Sequence, residues 1–300
     1  MLNVDSIRKQ FQATVAVDGI SFQVEPGDIY GFLGPNGAGK TTTIRMLMSI
    51  LKPDSGSIHL DGKDIARVSR NQFGYLPEER GLYQKVKLGD ALKYLAQLKG
   101  LSPAESGRVV QQWLERFELA DYMQKNIREL SKGNQQKVQF IATLIHSPRL
   151  IILDEPFTGL DPINQILMKD IIKEASDRGA AILFSTHQME QVERLCNRIC
   201  LINKGKIIVE GDINEIKARH GRRNVDILFE GELDESELDT YLEDIHLEKK
   251  RLRGSLISSS KALLRWISDR VDIQSYSITP PSLEEIFIAE VQASREGGEA

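Results

Sequence analysis

Ile29-Tyr30-Gly31-Phe32-Leu33-Gly34-Pro35-Asn36-Gly37-Ala38-Gly39-Lys40-Thr41 is the stretch whose reading decides the fold. Residues 29–33 read as a buried strand, residues 34–41 satisfy G-x-x-x-x-G-K-S/T, and an apolar helical run follows from about residue 40 to 50. A polyphosphate needs several backbone N–H groups converging on it, and side chains obstruct that approach. Glycines let the chain wrap the anion while the next helix directs its positive end at it. Lys40 adds a point charge, the Thr41 hydroxyl is a ligand for a divalent cation, and Thr42 joins the same helix start. A strand before and a helix after make a chance glycine turn a poor rival. The loop alone does not separate ATPases from GTPases.

Working outward, residues 150–153 are four apolar residues ending in Asp154-Glu155. A carboxylate at the end of a buried strand is costly unless a cation awaits it, so Asp154 is placed to reach Mg²⁺ and Glu155 to polarise an attacking water. Such a pair would pass for an ordinary turn without the phosphate loop. His187 follows the strand at 180–184, where open α/β sheets bind ligands. Cys196 and Cys200 lack a His, Asp or Glu cluster to complete a metal site and read as small hydrophobes at a helix end and a strand.

Three hundred residues exceed one compact core, so a large and a small domain are expected. The net charge of −4 argues against a general nucleic-acid binder. Residues 221–300 carry ten Lys/Arg against seventeen Asp/Glu, a balance of −7, which leaves residues 1–220 at +3. That break sets the expected domains at 1–219 and 220–300. No apolar stretch approaches the roughly 20 residues of a membrane-spanning helix, and no signal peptide opens the chain. The first thirty residues read as short strands. A helical insert spans about 84–148, with Pro103 in the first turn of its second helix and Ser102 as the cap. Strands and helices then alternate, which implies a largely parallel sheet. Beyond residue 220 a small α+β unit is expected. Its strands lie near 225–229, 253–258 and 273–278, its helices near 235–241, 262–267 and 283–291, and its tail 292–300 is frayed.

Leu130-Ser131-Lys132-Gly133-Asn134-Gln135-Gln136 resembles LSGGQQQ, the signature of ABC transporter ATPases, and Thr158-Gly159-Leu160-Asp161 resembles the loop that follows their Asp-Glu strand. With residues 34–41, Asp154, Glu155 and His187, the motifs cover about residues 2–216 in order. The resemblance implies an α/β phosphate-loop ABC core, with a mixed sheet, a helical subdomain and a small C-terminal α+β domain. It implies ATP and Mg²⁺ as cofactors and ATP hydrolysis coupled to transport. It also places Phe11 where an aromatic stacks on adenine, and His187 at the switch histidine. The resemblance further implies that Ser131 and Gly133 form a second anion cradle, for the γ-phosphate of a partner's ATP. Two ATPase subunits, alike or different, would sandwich two ATPs head to tail and drive an integral-membrane permease. Such a subunit is cytoplasmic and peripheral on the inner face of the membrane.

Three departures stand out. Glu78 occupies the place of a Gln that touches Mg²⁺, and a carboxylate oxygen can still ligate the metal. Lys132 replaces a signature glycine, and Asn134 replaces the glutamine. As a set, Pro77-Glu78-Glu79-Arg80-Gly81-Leu82-Tyr83 with LSKGNQQK resembles bacterial ATPases that export sodium or drugs through ABC-2-type permeases. The run Pro280-Pro281-Ser282-Leu283-Glu284-Glu285-Ile286-Phe287 resembles their tail domain. Rival readings fare worse. A GTPase needs N-K-x-D, and Asn203-Lys204-Gly205-Lys206 ends in lysine. A soluble ABC ATPase acting on nucleic acid or ribosomes usually carries long coiled coils or two cassettes. A non-catalytic binding module has no need of Lys40, Asp154, Glu155 and His187 together.

Overall fold

The structure, a computed structural model, describes residues 1–79, 81–220 and 223–296. The chain divides into two units, Met1–Ile213 and Asn214–Ala300. Arg80, Gly221, Arg222 and residues 297–300 lie outside the described residues, and so does that part of the motif at 77–83 and of the expected frayed tail.

The first unit opens with β1 (Leu2–Phe11), β2 (Thr14–Val24) and β3 (Ile29–Leu33), then α1 (Lys40–Leu47), β4 (Ser55–Leu60), β5 (Lys63–Asp64) and β6 (Phe73–Leu76). Three helices follow, α2 (Leu88–Leu98), α3 (Pro103–Arg116) and α4 (Lys132–Leu144). Strands and helices then alternate as β7 (Leu150–Asp154), α5 (Pro162–Asp177), β8 (Ala181–Thr186), α6 (Met189–Leu195), β9 (Arg198–Asn203) and β10 (Lys206–Asp212); α7 (Ile213–Arg219) begins at the last residue of this unit and runs into the second.

The central sheet runs β10-β9-β3-β8-β7-β6. All its pairs are parallel except β10 with β9. β3, β7 and β8 are buried at every residue, as unbroken apolar runs in a sheet covered on both faces should be. Parallel pairing of β3 with β8 and of β8 with β7 brings their C-terminal ends side by side. Leu33 stands opposite Thr186, and Asp154 opposite Ser185. The phosphate loop, the Asp-Glu pair and His187 therefore leave the sheet along one edge.

A second sheet, β2-β1-β4-β5, is antiparallel and packs on the first around α1. Phe22 stacks on Tyr30 with ring centroids 5.4 Å apart. Ile44, Met46 and Leu47 of α1 are buried in the same cluster, and each such side chain contributes about 1.5–3 kcal/mol on leaving water. The short strands expected over the first thirty residues are in fact two long ones. Register shifts near Ser6 and between Lys9 and Gln10 break their alternation, which disguises their length in the sequence.

The helical insert starts α3 as the sequence predicts. Ser102 accepts from the Glu105 N–H, the Glu105 carboxylate accepts from the Ser102 N–H, and Pro103 follows the cap. Among the described residues no helix is long and apolar enough to cross a membrane.

The second unit is a four-stranded antiparallel sheet, β12-β13-β11-β14. It is formed by β11 (Arg223–Glu230), β12 (Leu242–Glu248), β13 (Arg251–Leu256) and β14 (Asp272–Thr279), with α8 (Ser260–Ser268) and α9 (Leu283–Glu296). Val225, Ile227 and Phe229 alternate into a core with Leu252, Leu263 and Trp266. Two expectations are corrected here. The helix read near 235–241 is a single 3-10 turn, Leu238–Thr240, with β12 behind it. Leu238, Tyr241 and Leu242 mimic helical spacing. A register shift between Glu243 and His246, with Asp244 at φ +50°, hides the strand's alternation. The tail read as frayed from residue 292 continues α9 to Glu296.

Candidate nucleotide-binding site

α1 begins without a side-chain cap. Its N-cap is Gly39, at φ +109°, so its first N–H groups are not engaged by the cap residue. A Cβ at Gly39 would lie 2.4 Å from the Ala16 carbonyl oxygen, and Gly37 takes φ +79°; only glycine suits both. The loop is tied back by the Ala38 N–H to the Pro35 carbonyl (3.1 Å) and by the Gly205 N–H to the Ala38 carbonyl (3.0 Å). Lys40 curls over it, its ammonium donating to the carbonyls of Gly34 (2.6 Å) and Pro35 (3.2 Å).

The loop opens on a cleft of about 230 Å³ lined by Pro35, Asn36, Gly37, Gly39, Lys40, Thr41 and Thr42, with Ala16, Glu78, Asp154, Glu155 and His187 closing it. Burial holds the Lys40 ammonium below its ordinary pKa, while the carboxylates of Glu155, Asp154 and Glu78 pull it back up. Asp154, 3% exposed, is held above the usual carboxylate range, first by burial and then by Glu78 and Glu155 beside it. Three carboxylates thus face one buried ammonium, an excess of negative charge that a divalent cation would neutralise. Among the described residues no three His, Cys, Asp or Glu side chains cluster as a ready-made metal cage. Asp154, Thr41 and Glu78 line the cleft and are the side chains that could hold a divalent cation such as Mg²⁺, which takes one or two carboxylates and completes its shell with water and phosphate.

Glu155 is the most constrained residue of the site. Its φ of +48° is left-handed, a conformation that costs a non-glycine residue about 1–3 kcal/mol. Its N–H donates to the Ser185 carbonyl (2.9 Å). Its carboxylate accepts from the Thr186 hydroxyl (2.9 Å) and the His187 N–H (2.9 Å) and sits 2.6 Å from His187 Nδ1. The His187 ring is mostly exposed, so it bridges this buried carboxylate to the cleft mouth. Three ligands from the end of β8 thereby fix the orientation of one carboxylate at the end of β7.

The structure thus gathers at one cleft the phosphate loop, Glu78, Asp154, Glu155 and His187. It does not bring the remaining candidates there. Ser131 caps α4, its hydroxyl accepting from the Asn134 N–H (3.2 Å), and Gly133 lies in the first turn beside Gly159 and Leu160; neither lines the cleft. Phe11 ends β1 with its ring exposed and the Lys9 ammonium 5.7 Å from its centroid, also away from the cleft lining. Sequence reasoning missed Ala16, whose only signal is pairing geometry, and Thr186, which stands directly before His187 and could have been suspected as a hydroxyl leaving a buried strand. Cys196 and Cys200 are buried and free, one capping α6 and one inside β9.

Comparison with known proteins adds the following. Residues 17–158 match the model of the family described as ABC transporter, and residues 211–291 match that of the ATP-binding protein DrrA1-3-like C-terminal domain. The chain is similar to an uncharacterised ABC transporter ATP-binding protein of Bacillus subtilis, YhaQ, at 42% identity over 98% of this chain and 99% of that one. It is similar to the Nod factor export ATP-binding protein I of Paraburkholderia xenovorans, at 34% identity over 96% and 95%. Among solved structures it resembles the ATP-binding subunit of an ABC transporter, with a TM-score of 0.70 and 32% identity over 73% of this chain and 92% of that one.

Proposed function

The chain belongs to the ABC transporter ATP-binding proteins, ATPases whose hydrolysis of ATP powers transport, and from that premise we propose that it drives an exporter through a separate permease of the ABC-2 type. Support for export is the likeness to a Nod factor export protein across nearly the whole chain, together with the DrrA1-3-like C-terminal match. Sodium ions or drug-like solutes are the cargo that the motif at 77–83 favours. The unit Met1–Ile213 is read as the motor and the unit Asn214–Ala300 as an accessory domain.

The observation that carries the catalytic reading is the strained, triply held carboxylate of Glu155 at the rim of the cleft that Lys40 enters. ATP is held by the N–H groups of Gly37 and of residues 39–42 and by the Lys40 ammonium, which leaves its carbonyl partners for phosphate oxygens. Bound Mg²⁺ supplies charge neutralisation at the phosphates. Glu155 orients and polarises the attacking water, and His187 and Thr186 keep its carboxylate aimed. Ser131 and Gly133, remote from this cleft, are proposed to meet the nucleotide of a second ATPase subunit, so that ATP closes the pair and hydrolysis opens it.

The permease is proposed to dock beside β6, where an apolar cleft of about 270 Å³ is lined by Met48, Tyr75, Leu82, Leu95 and Leu98. Leu98 and the neighbouring Tyr94 and Tyr83 are exposed. The test is Glu155→Gln with ATP and Mg²⁺: sedimentation should show a stable nucleotide-bound dimer that co-purifies with a polytopic membrane protein. A strictly monomeric variant that still binds ATP would contradict the paired-subunit reading.

A further inference from the structure

Of the buried polar side chains of α4, Gln136, Gln139 and Thr143 are spaced three and four residues apart and so lie on one face of the helix. Buried amides are costly unless hydrogen-bonded, so what they grip is informative. Gln136 donates to the Pro156 carbonyl (3.0 Å), one residue past Glu155. Thr143 donates to the Tyr75 carbonyl in β6 (3.2 Å). Gln139, between them, shares its amide N–H donors between the carbonyls of Pro77 (3.4 Å) and Glu79 (3.2 Å), the two residues that flank Glu78. Its own Oε1 has no partner among the described residues, so the amide's orientation is set by those two carbonyls alone.

We propose that Gln139 is a positioning residue for Glu78: by holding the carbonyls on either side, it fixes the loop that turns the Glu78 carboxylate into the phosphate cleft. Glu78 itself is exposed at the cleft wall, and among the described residues its carboxylate has no hydrogen-bond partner to hold it there. The backbone clamp from α4 is therefore the means of aiming it. Because α4 starts at Ser131, the same helix ties the signature turn to the loops carrying Glu78 and Glu155. A shift of α4 would then reach both carboxylates of its own chain. The proposal rests on the reading that Glu78 serves the Mg²⁺ site.

The test uses the full chain with Gln139→Met, which keeps the volume and removes the donors, Glu78→Ala, and the two combined. In nucleotide-free protein, Gln139→Met should speed cleavage at Glu78 and Glu79 by a glutamate-specific protease about tenfold, with hydrogen exchange of the β7 amides unchanged. The Mg²⁺ concentration for half-maximal ATP binding should rise about tenfold, as for other residues that orient a metal ligand. In the Glu78→Ala background the substitution should add nothing to that Mg²⁺ requirement. A full, additive effect there, or unchanged cleavage at Glu78 and Glu79, overturns the positioning role while leaving the ATPase reading intact. A Glu78→Ala chain with ordinary Mg²⁺ dependence overturns both the metal reading of Glu78 and this proposal.

Discussion

Two helices of the first unit have a glycine at or beside their first turn, and they are built in opposite ways. α1 begins at Gly39 with no side-chain cap, beside a buried lysine and three carboxylates. α4 begins at Ser131, which caps itself through the Asn134 N–H, and none of those charged side chains surrounds it in the cleft lining. The first start can capture an anion and act on it. The second is a capped helix start without those charges. On the proposed pairing, a single chain holds one phosphate cradle of its own and offers the Ser131 turn to the phosphate of a partner.

The comparison can be broken first at the carboxylate. Glu155→Gln should lower ATP turnover by about 10²–10⁴-fold while ATP binding persists, because it removes the base and keeps the Asp154, Thr41 and Lys40 contacts. Phosphate release and nucleotide binding measured side by side decide this; near-normal turnover would remove Glu155 from its role. Lys40→Ala should instead weaken ATP binding by about 10–100-fold, the loss of a charge-assisted contact of 1.5–3 kcal/mol. Titration with a fluorescent ATP analogue measures it, and undiminished affinity would sink the cradle.

Asp154 sharpens the electrostatic half of the contrast. Its folded-state pKa is raised, by burial first, so its ionised form opposes folding in the absence of metal. The sign follows: wild-type stability from this group is greatest below the unfolded value and is lost as pH rises through the folded one. Asp154→Asn should therefore stabilise the nucleotide-free protein at neutral pH, and the advantage should shrink as pH falls through the raised folded-state value toward the unfolded one. Urea midpoints followed across that range check it. The smallest effect on stability and on nucleotide binding belongs to α4. Ser131→Ala removes a cap worth about 1 kcal/mol of stability and should leave ATP binding at the chain's own cleft unchanged, as equilibrium binding would show.

Much of the first unit was legible because its chemistry is written locally. Residues 34–41, Asp154-Glu155 and His187 each end a buried apolar run, and parallel pairing of β3, β8 and β7 puts such ends together. What holds Glu155 was not legible. Its left-handed backbone and its contacts to Thr186 and His187 arise from strands more than thirty residues apart in sequence meeting at one edge. Gln139 was equally silent, since a glutamine in a helix announces nothing until the backbone it grips is known. In the second unit β12 escaped notice because an irregularity at Asp244 erases its period of two, leaving Leu238, Tyr241 and Leu242 to imitate a helix.

The central claim is that Ser131 of one chain serves the cleft of another, and mixing two crippled chains tests it most directly. Ser131→Ala and Glu155→Gln chains should each be nearly inactive alone. Mixed in equal amounts under reversible exchange, they should recover about a quarter of wild-type turnover, because half of the pairs carry one intact composite site. A mixture no more active than its two parts would show each site to be self-contained and would contradict the account.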